Sequence, residues 1–164
     1  MSASINTLCK ELSVGVYVVG VAQQAHLHAF TAAWVMQVSF NPPLLALSIN
    51  PHHYSYSLLA AGRKCSVNVL GQQQLAIAEH FGRAHSGNKM AGFRWQTAVT
   101  GAPILSDCLT YFDCTVSHFT EAGDHQLAIC EIIAAQRLST ERPLLYHETS
   151  TMDKAHTLYP SSLT

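Results

Sequence analysis

The stretch that decides the fold is LTYFDCTVSHFTEAGDHQLAICEIIAAQRL, residues 109–138. Its first part (109–119) alternates in part between apolar and polar residues, and its second part (126–138) is mostly apolar. Gly123 and Asp124 lie between the two parts, and both residue types favour tight turns. The pattern therefore predicts a long antiparallel hairpin.

The residue after this turn is His125, so an acid and a histidine stand side by side in a chain with few charges. Taken alone, Gly123-Asp124-His125 is compatible with an ordinary hairpin turn, a metal ligand, an acid–base pair or the rim of a ligand site. The rest of the chain has to separate these alternatives.

Outward from the hairpin, three more apolar segments (14–22, 44–49 and 65–70) predict strands, the first of them buried on both faces. Gly15 and Gly20, inside the first segment, predict close backbone approaches. We expect a short final strand at 143–147 and frayed ends at 159–164. Two helices are predicted, at 54–62 and 72–82, each ending on a glycine in the left-handed position. Because strands dominate, the chain is predicted to be a mainly β barrel with short helical crossovers.

The composition favours a single domain in a reducing compartment. The chain has 164 residues, of which only 12% are charged, with a net charge of −1. Low charge favours a surface partly covered in a homo-oligomer, and the lack of a basic run argues against nucleic acid and anionic membranes. Five cysteines without a CxxC pair favour reduced thiols and a cytoplasmic location. We expect neither a signal peptide nor a membrane span.

The common nucleotide-binding and catalytic motifs do not occur in the sequence. Gly15 and Gly20 have neither the GxGxxG spacing of a Rossmann turn nor the lysine of a P-loop, and GxSxG and HExxH do not occur. Ten histidines raise the question of a metal. The pairs His26/His28 and His52/His53 have no carboxylate or thiolate at ligand spacing, so no metal is expected.

Five segments follow one another in a set order along the chain. They are HAFTAAWVMQVSFNPPLLALSINPHHYSYSLL (28–59), SVNVL (66–70), NKMAGFRW (88–95), GAPIL (101–105) and GDHQLAICEI (123–132). In this order they resemble the flavin reductase-like family, which has the FMN-binding split-barrel fold. The resemblance implies one domain over residues 1–164, with a core at about 13–147. It also implies a Greek-key antiparallel split β-barrel and a homodimer.

The resemblance further implies a flavin site, with FMN, or FAD, as cofactor. Small residues at 31–33 would let backbone N–H groups approach the flavin ring, and the start of the first predicted helix would hold the phosphate. Asn68 has a structural hydrogen bond as its alternative role, Ser55 a helix cap, and Lys89 either a solvated surface position or a contact with the partner chain's cofactor. The implied cofactor-binding residues are Thr31, Ala32, Ala33, Trp34, Ser48, Ile49, Asn50, His53, Ser55, Asn68 and Lys89.

Three departures from the family pattern have consequences. Ala33 replaces a common serine, so one side-chain hydrogen bond is expected to be missing. His52 and His53 stand in a loop where many relatives carry Arg or Lys, which weakens the expected phosphate site and makes phosphate binding dependent on the protonation of His53. Cys130 replaces a usual glycine, so we expect the strand to shift there.

By the same resemblance, His125 and Asp124 are the catalytic residues: His125 would seat NAD(P)H against the flavin, oriented by Asp124. Tyr146 and His147 would line the same pocket. Hydride would pass from the nicotinamide to the flavin N5 atom, and the reduced flavin would serve a monooxygenase or another electron acceptor. The alternatives are a non-catalytic FMN-binding electron carrier or flavin store, and a split-barrel protein that uses haem or a deazaflavin.

Overall fold

The computed structural model describes residues 4–84 and 86–161. In this part of the chain nine strands and three α-helices are assigned. The strands are β1 Tyr17–Gln23, β2 His26–Ala32, β3 Val35–Ser39, β4 Leu44–Ile49, β5 Lys64–Val69, β6 Trp95–Gln96, β7 Ile104–Leu105, β8 Thr110–Ala122 and β9 His125–Arg137. The helices are α1 Ile5–Cys9, α2 Tyr54–Gly62 and α3 Leu75–Gly82, and two short 3₁₀ helices (Tyr146–Thr149 and Ala155–Thr157) follow.

Seven strands form one antiparallel sheet in the order β2-β1-β5-β8-β9-β4-β3. The predicted hairpin is confirmed as β8 and β9, each 13 residues long. Ala122 pairs with His125, so Gly123 and Asp124 form a two-residue turn. Gly123 has φ +64°, a conformation that favours glycine at the first turn position. The turn therefore fixes where His125 enters the sheet.

A hydrophobic core on one face of the sheet contains residues from all seven strands and from α2. A second core lies beneath α3 and the β6–β7 pair and receives Val16, Val18 and Phe81. Because β1 lies between the two cores, its central residues are buried on both faces, as its sequence predicts. A Cβ on Gly20 would lie 2.0 Å from the carbonyl oxygen of Pro103, which confirms the close backbone approach there. At Gly15 the prediction is wrong, because the nearest atoms to such a Cβ belong to the Tyr17 side chain.

The predicted final strand at 143–147 is wrong. Pro143 and Leu145 each form a single isolated bridge, with Gly71 and Gly15 respectively, because this segment spans the ends of two strands rather than pairing along one. The chain then turns into the 3₁₀ helix, and the carboxylate of Glu148 accepts a hydrogen bond from the Leu145 N–H at 2.9 Å.

Both predicted glycine helix caps are also wrong. α2 ends with Arg63 in the left-handed conformation, and a Cβ on Gly62 would lie 1.9 Å from the Ala22 carbonyl oxygen. Gly62 therefore permits the contact between α2 and β1. At the end of α3, the Lys89 ammonium donates to the carbonyls of Phe81 (2.9 Å) and Arg83 (2.6 Å), so a lysine caps the helix that Gly82 ends.

Cys130 lies fully buried in the first core. Its partner on β8 is Val116, and the pairing register shifts between Val116 and His118. Cys130 pairs with Leu45 of β4 in regular register, and the extra residue at the shift is Ser117 of β8, so the shift expected in β9 at this cysteine is not seen.

Candidate functional site

A cavity of about 640 Å³, the main cavity, opens where the ends of β2 and β4, the start of β9 and the end of α3 converge. Residues 152–155 and Leu158, near the end of the chain, close one side of it. Volumes of roughly 300–1,000 Å³ are usual for cofactor and substrate sites. The predicted site residues in its lining are Thr31, Ala32, Ala33, Trp34, Ser48, Ile49, Asn50, His53 and His125.

The connection from β2 to β3 forms one wall. The Thr31 hydroxyl donates to the Ala78 carbonyl at 2.6 Å, which ties this wall to α3. The Ser48 N–H donates to the Trp34 carbonyl at 2.9 Å, which ties it to β4. Between these two anchors, Ala32 and Ala33 carry only methyl groups, so a ligand can approach the backbone closely. Trp34 remains 49% exposed.

The end of β4 and the start of α2 form the adjoining wall. The Asn50 side chain accepts a hydrogen bond from the His52 N–H at 2.9 Å, and its carbonyl accepts one from the His53 N–H at 3.0 Å. His53 is the N-cap of α2, and among the described residues no side chain caps this helix end. Burial lowers the pKa of His53, and the nearby His125 and Lys89 lower it further.

His125 stands opposite Trp34, with 5.2 Å between the ring centroids. Its Nδ1 lies 2.7 Å from Oδ1 of Asp124, whose pKa is lowered by this hydrogen bond and by the charge of the histidine. A carboxylate only accepts hydrogen bonds, so Nδ1 carries the proton and Nε2 is left to engage a bound molecule. Asp124 thus fixes the tautomer and the orientation of the His125 ring, the arrangement expected from the sequence.

Three of the predicted cofactor-binding residues lie outside this lining. Ser55 is buried with its Oγ 2.9 Å from Nδ1 of His28, so it does not serve as a cap either. Asn68 is fully buried: its amide donates to the Val18 carbonyl and the Ser66 hydroxyl, and its oxygen accepts the Leu105 N–H.

Lys89 is also buried, and its ammonium donates to the carbonyls of Phe81 and Arg83 at the end of α3. These bonds explain all three residues structurally within one chain. Their contact with a cofactor stays a prediction.

Sequence reasoning missed two cations of the main cavity, Arg83 and Lys154. Arg83 directly follows α3, and Lys154 begins the second 3₁₀ helix with φ +51°. The one signal in the sequence was a basic residue straight after a predicted helix. With His53 they place three groups that can be cationic around one cavity, which offsets the lack of Arg or Lys in the loop before α2.

The chain end also differs from expectation. Tyr146 lines the main cavity, whereas His147 is exposed and lies outside the lining. Burial raises the pKa of Tyr146, as does the hydrogen bond that it donates to Asp153. Residues 159–160, expected to fray, line a second cavity of about 490 Å³ beside the main one. The last three positions, 162–164, lie outside the described residues.

Comparison with known proteins identifies the family of the chain. Residues 9–154 match the family model of the flavin reductase like domain. The chain belongs to this family. The resemblance found in the sequence motifs is thereby confirmed.

Flavin reductase-like relatives and structures cover most of the chain. The FMN reductase (NADH) RutF of Bradyrhizobium diazoefficiens is 31% identical over 136 residues, which span 82% of this chain and 76% of the relative. The crystal structure of a putative flavin reductase from Haemophilus somnus is 26% identical, with a TM-score of 0.80 over 90% of this chain and 97% of that one. BorF, the flavin reductase component of a bacterial two-component tryptophan halogenase, is 25% identical, with a TM-score of 0.80 over 89% and 93%.

The main cavity of this flavin reductase-like chain fits a phosphorylated flavin. An isoalloxazine ring needs backbone donors at its edge, and the methyl-lined wall at 32–33 lines the main cavity together with Trp34 and His125. A phosphate needs cations or helix N–H groups, which His53, Arg83 and the start of α2 supply. In residues 4–84 and 86–161, no three His, Cys, Asp or Glu side chains are grouped as metal ligands, and no helix there is long and apolar enough to cross a membrane.

Proposed function

We propose that this protein is an NAD(P)H:flavin oxidoreductase that binds FMN in the main cavity. The observation that carries the proposal is the cavity itself: one space of about 640 Å³ joins a wall of small residues, three groups that can be cationic and His125, whose ring Asp124 holds from outside the lining. FMN, when bound, supplies the hydride-accepting ring. The similar RutF proteins are FMN reductases that use NADH, which makes NADH the first donor to test.

The two ends of FMN are assigned by chemistry. The ring lies along residues 31–34 and 48–50, where backbone groups and small side chains face the cavity. The phosphate lies toward His53, Arg83 and Lys154, because these groups can neutralise its charge. Glu79 and Asp153 also line the cavity. Asp153 is already engaged, since its two oxygens accept hydrogen bonds from the Tyr146 hydroxyl and the Ala155 N–H.

His125 positions the nicotinamide against the flavin. The hydrogen bond to Asp124 holds its ring, and the contact with Trp34 places that ring at the cavity wall. No side chain has to transfer a proton in the hydride step, so the contribution of the pair is orientation.

We further propose that the sheet closes into a split barrel and that two chains form a homodimer. Both end strands, β2 and β3, contribute residues to the same core (Phe30 and Val35), as closure requires. β3 also exposes Met36 and Val38, and Phe40 just beyond it is 91% exposed, in a chain with only 12% charged residues. An apolar strand face of this kind is typical of a subunit interface.

We also propose a partner and a compartment for this activity. BorF serves a halogenase, and another similar structure is the B component of a nitrilotriacetate monooxygenase. We therefore propose that reduced flavin from this protein supplies a monooxygenase or a comparable acceptor. A cytoplasmic location fits the five free cysteines of the described residues.

Equilibrium binding of FMN, FAD and riboflavin, followed by steady-state oxidation of NADH and NADPH, tests the function. We expect FMN to bind more tightly than riboflavin by about 10-fold or more, the size expected for a charged hydrogen bond. NADH oxidation should depend on added flavin. Tight FMN binding without NAD(P)H oxidation would instead favour an electron carrier or flavin store.

A further inference from the structure

The lining of the main cavity contains a carboxylate that the proposed ring and phosphate contacts do not use. Among the described residues, the acidic side chains of this lining are Glu79 and Asp153. Both oxygens of Asp153 already accept hydrogen bonds, from the Tyr146 hydroxyl and the Ala155 N–H. Within the same part of the chain, the Glu79 side chain has neither a hydrogen bond nor an ion pair. Its carboxylate is therefore free to accept hydrogen bonds from a bound molecule.

Glu79 lies on α3 between the two ends of the cavity. The Ala78 carbonyl, one residue earlier, accepts the Thr31 hydroxyl at 2.6 Å, which holds this part of α3 against the wall proposed for the ring. Arg83, at the end proposed for the phosphate, directly follows α3. Gly82 lines the cavity as well, and residues three apart share one face of a helix. Glu79 therefore faces the space between the proposed ring and the proposed phosphate.

The charge of Glu79 indicates what kind of ligand group lies beside it. Among the described residues, neither Arg83 nor Lys154 forms an ion pair with Glu79. A carboxylate beside a phosphate is unfavourable, because like charges repel. A carboxylate beside hydroxyl groups is favourable, because a hydrogen bond to a charged acceptor is stronger than one between neutral groups. An unpaired anion next to unpaired cations thus complements a ligand that carries hydroxyl donors next to a phosphate. In FMN, the ribityl chain between ring and phosphate provides these hydroxyls.

We propose that Glu79 accepts hydrogen bonds from the ribityl hydroxyls and so selects flavins that carry this chain. The inference rests on the proposed function, because it assigns the middle of the FMN molecule that this function places in the main cavity. It adds a specificity-determining residue between the ring end and the phosphate end. Glu79 acts in binding, since the ribityl hydroxyls are not the reacting atoms of the hydride step.

The test compares three flavins that differ in one part each. Lumiflavin has the ring with a methyl group in place of the ribityl chain, riboflavin adds the ribityl chain, and FMN adds the phosphate. Fluorescence titration gives Kd for each flavin with the unmodified full chain and with Glu79→Ala and Glu79→Gln. Glu121→Ala is the matched control, because Glu121 is an exposed glutamate on β8 outside both cavity linings.

We expect Glu79→Ala to weaken riboflavin binding by about 10-fold, the usual effect of losing one charged hydrogen bond. Lumiflavin affinity should stay within about 2-fold, the scatter expected for a change at a surface position. Glu79→Gln keeps an oxygen acceptor without the charge, so its loss of riboflavin affinity should be smaller.

FMN affinity should fall less than riboflavin affinity in Glu79→Ala, because the lost negative charge no longer repels the phosphate. A general distortion of the cavity would not separate the three flavins in this way. Unchanged riboflavin affinity, or an equal loss of affinity for lumiflavin and riboflavin, would overturn the proposal.

The unmodified protein separates this inference from the proposed function. If it binds FMN and oxidises NADH with it, while Glu79→Ala and Glu121→Ala give the same three affinities, the role of Glu79 is wrong and the reductase stands. If the unmodified protein binds none of the three flavins, the proposed function fails, and the role of Glu79 fails with it.

Discussion

The two ends of the main cavity are built by different means. At the end proposed for the flavin ring, the shape comes from backbone: the turn at Gly123-Asp124, the wall at 32–33 and the end of β4 are all held by sheet hydrogen bonds. At the end proposed for the phosphate, the recognition groups are the side chains of His53, Arg83 and Lys154, from three separate elements.

This difference has a practical consequence. A site made of backbone tolerates most side-chain changes, whereas a site made of three side chains loses affinity with each one removed. We therefore expect single substitutions at the ring end to affect turnover and those at the phosphate end to affect flavin affinity. The following predictions are in order of decreasing effect.

His125→Ala should lower the rate of NADH oxidation by about 100-fold, because a reacting ring that is misplaced by an ångström loses about this factor. FMN affinity should change by less than about 3-fold, since backbone and phosphate contacts remain. Stopped-flow reduction and fluorescence titration measure the two quantities. Equal loss of both would mean that His125 holds the flavin rather than the donor.

Asp124→Ala is the matched variant for His125. It keeps the imidazole and removes only the group 2.7 Å from Nδ1. We expect a smaller loss of turnover than in His125→Ala, again with FMN affinity retained, because Asp124 acts by orienting the ring.

Arg83→Ala should weaken FMN binding by about 10-fold and leave riboflavin binding unchanged, because riboflavin lacks the phosphate. Arg137→Ala is the control, since Arg137 is an exposed arginine at the end of β9. Isothermal titration of both flavins with both variants provides the measurement. A parallel loss of riboflavin affinity would show that Arg83 supports the cavity wall rather than the phosphate.

FMN affinity should rise by about 3-fold as the pH falls from 7.5 to 5.5. This change is smaller than the effect of one complete charged hydrogen bond on affinity. Burial keeps the pKa of His53 below its ordinary 6.5 in the free protein, so its ring is neutral at pH 7. A bound phosphate favours the charged ring and raises this pKa, so binding takes up a proton and is tighter at low pH.

His53→Gln supplies the reference curve for this titration. The phosphate itself loses charge near pH 6, which opposes the gain. The difference between the two pH profiles isolates the contribution of His53. Superimposable profiles would remove His53 from the phosphate site.

The contrast between the ring end and the phosphate end also explains which features could be predicted from the sequence. The hairpin, the buried first strand and the bounds of α2 are decided by local patterns: a Gly-Asp turn, a run of β-branched residues and a short apolar helix. The residues of the ring end were assigned from the family resemblance, because residues 31–34 lie at the end of β2, a strand that no local pattern predicted. The pairing of Asp124 with His125 was predictable too, because the residues are neighbours.

Arg83, Lys154 and the terminal segments were not predictable, because their positions depend on contacts between distant parts of the chain. Lys89 reaches back to cap α3, and Lys10 reaches Ser150. Gly62 looked like a helix cap, yet its role is a contact with β1 that no local pattern encodes. Ser55 suited a phosphate by sequence position, but its hydroxyl bonds His28 in the interior.

The central claim is that FMN in the main cavity accepts hydride from a nicotinamide seated by His125. Its most direct test is the anaerobic absorption spectrum of the FMN-loaded protein before and after one equivalent of NADH. We predict that the oxidised flavin bands bleach on NADH addition, and do so far more slowly in His125→Ala. Bands that persist with NADH and NADPH, yet bleach with dithionite, would contradict the claim.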